Sequence, residues 1–307
     1  MKIIFMGNPS FACPSLRGIS KSSHDLVGVI SNPPKRMKRS MALHYTPLGK
    51  LANDLNQNLF TIENLYDPSL ESWIKKLKPD LIIVVAFKFL PNSIIEIPKM
   101  GAINLHASLL PKYRGAAPIQ HALINNDKET GNTTFFIQSK IDTGNIILQE
   151  KVKIDVDDNF ESLSEKMSLS GADLLLKSLD KVNSPNFISL KQDSQKATFA
   201  PKIDKTMCRI NWNESAQMIH SKVKALSPSP GAFTIYNNKR LKIFDTKIVT
   251  DSSINIPGSI NHINNRILIS CSDYNLELKN IQYEGKKRMP AIDWVRGVKI
   301  STGIKFD

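Results

Sequence analysis

Two patterns of apolar and polar residues divide the chain. Up to residue 181, short apolar runs rich in β-branched residues alternate with longer amphipathic stretches. The apolar runs predict strands at Lys2–Phe5, Leu26–Ile30, Leu59–Ile62, Leu81–Val85, Ala102–Leu105, Thr133–Ile137 and Ile146–Val152. The amphipathic stretches predict helices near residues 11–20, 47–55, 69–78 and 117–125, and a longer helix over Phe160–Leu179. This alternation is typical of an α/β domain with a parallel sheet that helices cover on both faces.

The most apolar run, LIIVVAF at Leu81–Phe87, has no polar residue and is expected in the centre of a sheet buried on both faces. Its seven residues are far fewer than the roughly 18 that a membrane-spanning helix needs. The N-terminal segment also lacks the apolar core and cleavage site of a signal peptide. We therefore expect a soluble, cytoplasmic protein with no membrane-spanning segment.

The pattern changes after residue 181. Residues 182–206 are polar and aperiodic, which predicts a linker between a domain at 1–181 and a second domain at 207–307. After a helix near 214–226, the second domain is rich in strand patterns. These are Ala232–Tyr236 and Leu241–Val249 around an Asn237–Asn238 turn, followed by Arg266–Cys271 and Leu276–Ile281. Short strands at this spacing predict a small β-barrel.

The excess positive charge is concentrated in the last third of the chain. Lysine and arginine number 41 against 28 acidic residues, a formal net charge of +13, and residues 201–307 hold 17 of the basic and 9 of the acidic residues. A basic balance confined to one segment indicates a polyanionic partner such as nucleic acid or a membrane surface. Solubility alone is the alternative explanation.

Several kinds of site are not indicated. Cys13, Cys208 and Cys271 lie far apart without a Cys-x-x-Cys pair, as expected in a reducing compartment without disulfides. The histidines show no metal-ligand spacing, so we expect no metal. Neither a Gly-x-Gly-x-x-Gly fingerprint nor a Walker sequence is present, which argues against a dinucleotide-dependent dehydrogenase.

Asn104 and His106 are the first candidates for chemistry. They lie two residues apart at the end of a predicted strand, so both side chains point to one face while Leu105 enters the sheet. Sites in open α/β sheets lie at the carboxyl ends of strands. An amide beside an imidazole there can stabilise negative charge that develops on a carbonyl oxygen. The alternative is a strand-end pair satisfied by neighbouring backbone groups.

Two loops follow this pair. The first, from Ser108 to Pro118, contains Pro111, Gly115 and Pro118 and is expected to be rigid enough to present backbone groups to a flat heteroaromatic ligand. The second contains Asp142 in the sequence Ile-Asp-Thr-Gly, where a carboxylate can pair with an imidazole and fix its tautomer. A tight turn in which the aspartate caps its own backbone is the alternative.

With NLHASLLPKYRGAAPIQ and IDTG together, the chain resembles the 10-formyltetrahydrofolate-dependent formyltransferases. The resemblance covers nearly the whole chain, including MGNPSFA near the start and KIDKTMCRINW, SPSPGAF and EGKKRMP in the last third. It implies a Rossmann-like parallel-sheet domain followed by an OB-like β-barrel, with 10-formyltetrahydrofolate as cosubstrate. By motif, it implies a catalytic trio of Asn104, His106 and Asp142, and a folate site bordered by Ser108, Leu109, Leu110 and Pro111.

Within that family, the GAAPIQ helix start and the basic segments indicate the member that acts on tRNA. The implied reaction moves the formyl group to the α-amino group of initiator methionyl-tRNA, and we expect a monomer. The residues implied in tRNA binding are Lys35, Arg36, Lys38 and Arg39 after the second strand, and Lys286, Lys287 and Arg288 in the barrel.

One loop departs from the family pattern, and three other functions stay open. The family has a Gly- and Arg-rich loop after the second strand, whereas Asn32–Ser40 here reads NPPKRMKRS without glycine, so a merely solvated basic loop is the alternative. A sugar-nucleotide formyltransferase would share the trio but would not need a basic insert or a strongly basic barrel. A second enzyme alternative is the hydrolase module of formyltetrahydrofolate dehydrogenase, which releases formate to water. A catalytically silent RNA-binding protein would not need the trio.

Overall fold

The computed structural model describes residues 1–36, 42–250, 256–263, 266–298 and 305–306, and the chain forms two compact units. The first unit comprises Met1–Pro118, Glu129–Lys153 and Ser164–Ala200. The second comprises Ile119–Lys128, Ile154–Leu163 and Pro201–Asp307.

A seven-stranded sheet forms the centre of the first unit. Up to residue 153 the strands are β1 (Lys2–Gly7), β2 (Asp25–Ser31), β3 (Lys35–Arg36), β4 (Leu43–His44), β5 (Leu59–Thr61), β6 (Leu81–Val85), β7 (Ala102–His106), β8 (Glu129–Phe136) and β9 (Ile146–Lys153). The spatial order in the sheet is β5-β2-β1-β6-β7-β8-β9, and β3 and β4 form a separate two-stranded ribbon. All seven strands predicted in this part of the sequence are present.

The expected parallel sheet is confirmed, with a difference at one edge. The strands from β5 to β7 run parallel, whereas β8 and β9 run antiparallel. The segment between β8 and β9, residues 137–145, is shorter than the dozen or more residues that a parallel crossover needs. Strand periodicity alone carries no information about this direction.

Helices over residues 1–182 lie at the positions that the sequence predicts, except for a short one after β6 that the sequence analysis missed. They are α1 (Cys13–Ser20), α2 (Pro47–Asp54), α3 (Pro68–Leu77), α4 (Asn92–Ile95), α5 (Pro118–Ile124) and α6 (Phe160–Val182). The side chains of Thr46 and Asp67 accept backbone N–H bonds at the starts of α2 and α3, each followed by a proline with a preset φ. Alternate residues of β1 then enter two cores, Ile3 and Phe5 on one face of the sheet and Ile4 and Met6 on the other.

The second unit contains an antiparallel sheet. Its strands are β10 (Ala232–Tyr236), β11 (Lys239–Val249), β12 (Ile260–Ile263), β13 (Arg266–Ser270), β14 (Asn275–Tyr283) and β15 (Met289–Pro290), with helices α7 (Ala216–Leu226) and α8 (Ala291–Val298). The pairing order is β10-β11-β14-β13-β12, with β15 on β14. Asn237 and Asn238 have φ of 48° and 58°, as a two-residue hairpin turn requires, so the predicted hairpin is confirmed. The sequence analysis missed β12, β15 and α8.

In the described part of the chain, no helix is both long and apolar enough to cross a membrane.

Candidate active site

β7 presents Asn104 and His106 at its carboxyl end, as the sequence predicts. Leu105, between them, lies in the apolar core. His106 is buried and Asn104 is half-buried. Across the β7–β8 ladder, Asn104 pairs with Phe135 and His106 pairs with Thr133. The two polar side chains therefore share one face of the sheet edge where parallel strands form sites.

The two nitrogens of the His106 ring have different surroundings. Nε2 lies 2.9 Å from the backbone oxygen of Tyr113. Because a carbonyl oxygen only accepts hydrogen bonds, Nε2 is the donor and carries a proton. Nδ1 lies 3.7 Å from Oδ2 of Asp142, which is within ion-pair range but longer than a hydrogen bond. The ring is therefore anchored at Nε2 and presents Nδ1 to the carboxylate.

Asp142 is held in a tight turn. Its φ of 52° lies in the left-handed region, which an aspartate occupies only when its surroundings fix it there. Its Oδ2 accepts a 2.8 Å hydrogen bond from the backbone N–H of Gly115. Two residues on, a Cβ at Gly144 would lie 1.6 Å from the backbone oxygen of Phe136, so only glycine fits. The turn thus lies against β8 with the carboxylate directed toward His106.

A network around Thr133 fixes the loop after His106. Its hydroxyl donates to the backbone oxygen of Ser108 at 2.6 Å and accepts from the backbone N–H of Leu110 at 3.1 Å. The side-chain amide of Gln149 donates to the same hydroxyl at 2.9 Å. These bonds hold both sides of the loop against β8. Thr133 was not predicted as a site residue, although its place opposite His106 follows once the β7–β8 register is known.

The four residues predicted to border a folate differ in exposure. Ser108 is fully buried and its hydroxyl donates to the backbone oxygen of Lys112 at 2.6 Å. Leu110 is buried in a small cluster with Phe135 and Ile146. Leu109 and Pro111 are partly exposed. Only Leu109 and Pro111 therefore offer side-chain surface to a ligand, while Ser108 and Leu110 shape the backbone.

The segment predicted as a linker contacts this loop. Arg114 donates its N–H to the oxygen of Thr198 at 2.9 Å, and its own carbonyl oxygen accepts from Ala200 at 2.8 Å. The hydroxyl of Thr198 accepts from the N–H of Tyr113 at 2.8 Å. Residues 198–200 thus pair with the loop as a short strand would. An aperiodic polar sequence gives no signal for such pairing.

The predicted tRNA-binding residues lie in both units. In the first, Lys35 and Arg36 form β3, and Lys35 pairs with Glu63 at 3.3 Å. Asn8 supports the start of this loop by accepting bonds from Ser31 and from the N–H of Asn32. Lys38 and Arg39 lie outside the described residues. In the second unit, Lys286, Lys287 and Arg288 follow a turn at Gly285, and the Arg288 guanidinium lies 4.4 Å from the centre of the Phe244 ring.

The cysteines offer no thiolate near neutral pH. Burial raises the pKa of the Cys271 thiol to about 12, and burial also raises the pKa values of Cys13 and Cys208. Within the described ranges, no three His, Cys, Asp or Glu side chains cluster as metal ligands. The groups that the site provides are therefore an amide, an imidazole, a carboxylate and backbone N–H donors.

Comparison with known proteins identifies the class. Residues 1–179 match the family described as "Formyl transferase", and residues 202–299 match "Formyl transferase, C-terminal domain". The solved structure of WlaRD, a sugar 3N-formyl transferase in the presence of dTDP and 5-N-formyl-THF, shares the fold. Its TM-score is 0.68 at 24% identity, over 94% of this chain and 99% of that one. The two family matches identify the chain as a formyltransferase with an N-terminal and a C-terminal family segment.

Full-length relatives narrow the class further. The methionyl-tRNA formyltransferase of Thermodesulfovibrio yellowstonii is 40% identical over 303 residues, which cover 98% of this chain and 97% of the relative. That of Caldanaerobacter subterraneus subsp. tengcongensis is 36% identical over 305 residues, which cover 99% of each. The chain belongs to the methionyl-tRNA formyltransferase family.

Proposed function

We propose that this chain transfers the formyl group of 10-formyltetrahydrofolate to the α-amino group of initiator methionyl-tRNA, giving N-formylmethionyl-tRNA for translation initiation. Family membership supports the donor and the acceptor. The observation that carries the chemistry is the His106 ring, which is anchored through Nε2 and presents Nδ1 to Asp142 beside Asn104.

The reaction needs charge stabilisation and proton transfer. The amine nitrogen attacks the formyl carbon, forms a C–N bond and gives a tetrahedral oxyanion. Collapse of this intermediate breaks the bond to N10 of the folate. The amine loses one proton and N10 gains one, so protons balance without an external acid. The groups to be assigned are therefore those that stabilise the oxyanion and those that move the proton.

Each member of the trio has a role in this proposal. The Asn104 amide donates to the oxyanion. His106 in its charged form carries a second N–H, at Nδ1, which is available to the same oxygen because Nε2 is bonded to Tyr113. The Asp142 carboxylate, 3.7 Å from Nδ1, compensates the positive ring and accepts the amine proton through water. Direct attack by the amine requires no covalent enzyme intermediate, in keeping with the raised thiol pKa values.

We assign substrate binding to both parts of the chain. In this assignment residues 1–181 bind folate, which Ser108, Leu109, Leu110 and Pro111 border. The loop residues Lys35, Arg36, Lys38 and Arg39 meet the acceptor end of the tRNA. The domain at 207–307 holds the tRNA body by phosphate contacts from Lys286, Lys287 and Arg288. The enzyme acts as a monomer in the cytoplasm, where the initiator tRNA is used.

The test is formyl transfer from radiolabelled 10-formyltetrahydrofolate, with charged initiator tRNA and a nucleotide-linked amino sugar as parallel acceptors. Label in the tRNA alone supports the proposal, and label in the amino sugar alone overturns it. Release of formate to water without transfer to either acceptor would show a hydrolase. A reaction with uncharged tRNA serves as the control for the requirement of an α-amino group.

A further inference from the structure

Gln192 lies in the polar segment that follows α6, and it is 7% exposed. On one side of it, Leu190 pairs with Ile146 at the start of β9. On the other, residues 198–200 pair with Arg114. The segment is thus attached on both sides of Gln192, which fixes the path of the backbone that carries this buried amide.

The side-chain amide of Gln192 uses both of its ends. Nε2 donates to the backbone oxygens of Asp142 at 3.0 Å and Gly144 at 2.8 Å. Oε1 accepts from Arg114 through Nε at 3.2 Å and Nη2 at 2.7 Å. Two N–H donors and two lone pairs are all that an amide has. A flipped amide would place donors against the guanidinium and an oxygen against two carbonyls, so the partners determine its orientation.

These contacts join the two loops that define the relation between His106 and Asp142. On the turn, Gln192 binds the backbone at Asp142 and Gly144, the residues on either side of Thr143. On the other loop it binds Arg114, whose neighbour Gly115 donates its N–H to the Asp142 carboxylate. The backbone at Asp142 is left-handed and needs such support. A shift between the loops would change the 3.7 Å separation of Nδ1 and Oδ2 directly.

We propose that Gln192 is a positioning residue for the formyl transfer: it locks the Asp142 turn to the Arg114 loop and so sets the carboxylate against His106. This inference rests on the proposed function. Gln192 acts through Asp142 and does not touch substrate. It lies between the segments that match the two formyl transferase families, residues 1–179 and 202–299.

The first experiment is Gln192→Glu in the full-length enzyme. A carboxylate of the same shape keeps the contact with Arg114 but turns an oxygen toward the backbone oxygens of Asp142 and Gly144. We expect kcat to fall by about 10²-fold, the loss typical of a small misplacement, with little change in KM for the formyl donor. The matched control is Gln195→Glu, the same change at an exposed position of the same segment, which should keep wild-type kcat.

The second experiment separates positioning from a general structural role. In the Asp142→Asn background, Gln192→Glu should cost far less than in the wild type, because the carboxylate it positions is already absent. Additive losses, or a wild-type kcat for Gln192→Glu, would overturn the proposal. If Gln192→Glu does not fold, Gln192→Asn takes its place in the same cycle, since its amide is one methylene too short to reach both loops. If neither variant folds, the role is structural and the positioning role is rejected.

The wild-type enzyme distinguishes this test from the test of the function. Wild-type protein that transfers no formyl group to charged tRNA would overturn the proposed function. Active wild-type protein with an unaffected Gln192→Glu variant would overturn only the role of Gln192.

Discussion

Thr133 faces His106 across the β7–β8 ladder, and its hydroxyl bonds the loop that leaves His106 at two backbone positions. One side chain on a neighbouring strand thus determines where the backbone from Ser108 to Leu110 lies. This buried hydroxyl links the sheet to the loop predicted to border the folate.

Replacing Thr133 by valine keeps the shape and removes the hydroxyl. The backbone N–H of Leu110 then loses its partner in a buried position, which costs about 1–3 kcal/mol of stability. We expect a lower urea midpoint and a raised KM for the formyl donor, with kcat reduced less than KM rises. Thr134→Val, at the next position of β8, also removes a buried hydroxyl and is the control, since its hydroxyl bonds Ser178. An unchanged KM in Thr133→Val would contradict the proposed link.

Removal of either proposed oxyanion donor should affect turnover far more than folate binding. We expect Asn104→Ala and His106→Ala each to lower kcat by roughly 10²–10³-fold, the loss found for single oxyanion donors. Pre-steady-state transfer and equilibrium titration with the folate would measure the two effects separately. Near-normal turnover in His106→Ala would refute the assignment.

Asp142→Asn removes the negative charge but keeps the shape and an oxygen that the Gly115 N–H can still reach. We expect a large loss of kcat, no loss of folding and little change in folate affinity, because the carboxylate is assigned to the amine proton. Thermal unfolding and folate titration of the purified variant would check this. Folate affinity that fell as much as kcat would assign Asp142 to donor binding instead.

Lys286 and Lys287 should bind phosphate through a salt-sensitive, sequence-independent contact. Replacing either by alanine should weaken tRNA binding and lower the slope of log affinity against log salt by about one. The control is Lys75→Ala, which removes a lysine that already pairs with Glu71 on α3. The measurement is tRNA affinity at several salt concentrations. If the slope of the Lys286 or Lys287 variant equals that of the wild type, the residue does not contact phosphate.

His220 should make the protein less stable in mild acid. Burial and the charge of Lys224 lower its pKa, against the opposing charge of Asp245. In the unfolded chain the pKa of this histidine is about 6.5, which is higher than in the folded protein. As the pH falls below about 6.5, the unfolded chain therefore binds the proton before the folded protein does, and the protein loses the stability that it has at higher pH. We expect the urea concentration at the unfolding midpoint to decrease as the pH is lowered from 7.5 to 5.5. This decrease should be smaller in His220→Gln. His24, whose pKa is also lowered, is present in both proteins, so it cancels in the comparison.

The sequence predicted the features that depend on local pattern. Strand and helix positions in the first unit follow from apolar periodicity, and the hairpin at Asn237–Asn238 follows from its turn residues. Asn104 and His106 were candidates because they lie two apart on one predicted strand, whereas the trio with Asp142 was implied by the family resemblance. The structure brings Asp142 to His106 across a sequence gap that no periodicity spans.

What the sequence did not predict depends on contacts between distant residues. Arg114 and Gln192 are 78 positions apart, and their bond leaves no trace in the composition of either segment. Thr133 reads as an ordinary strand residue until its register with β7 is known. The antiparallel edge, likewise, depends on the short connection between β8 and β9 and not on the residues of the strands.

The pairing of residues 198–200 with Arg114 also bears on how enzymes of this architecture can be recombined. A chimera that joins a foreign acceptor-binding module directly after α6 would remove Thr198 and Ala200, the backbone partners of Tyr113 and Arg114. A junction placed after Ala200 would keep them. The backbone partners of Tyr113 and Arg114 therefore extend eighteen residues beyond the end of α6 at Val182, and a junction that preserves this pairing must lie after Ala200.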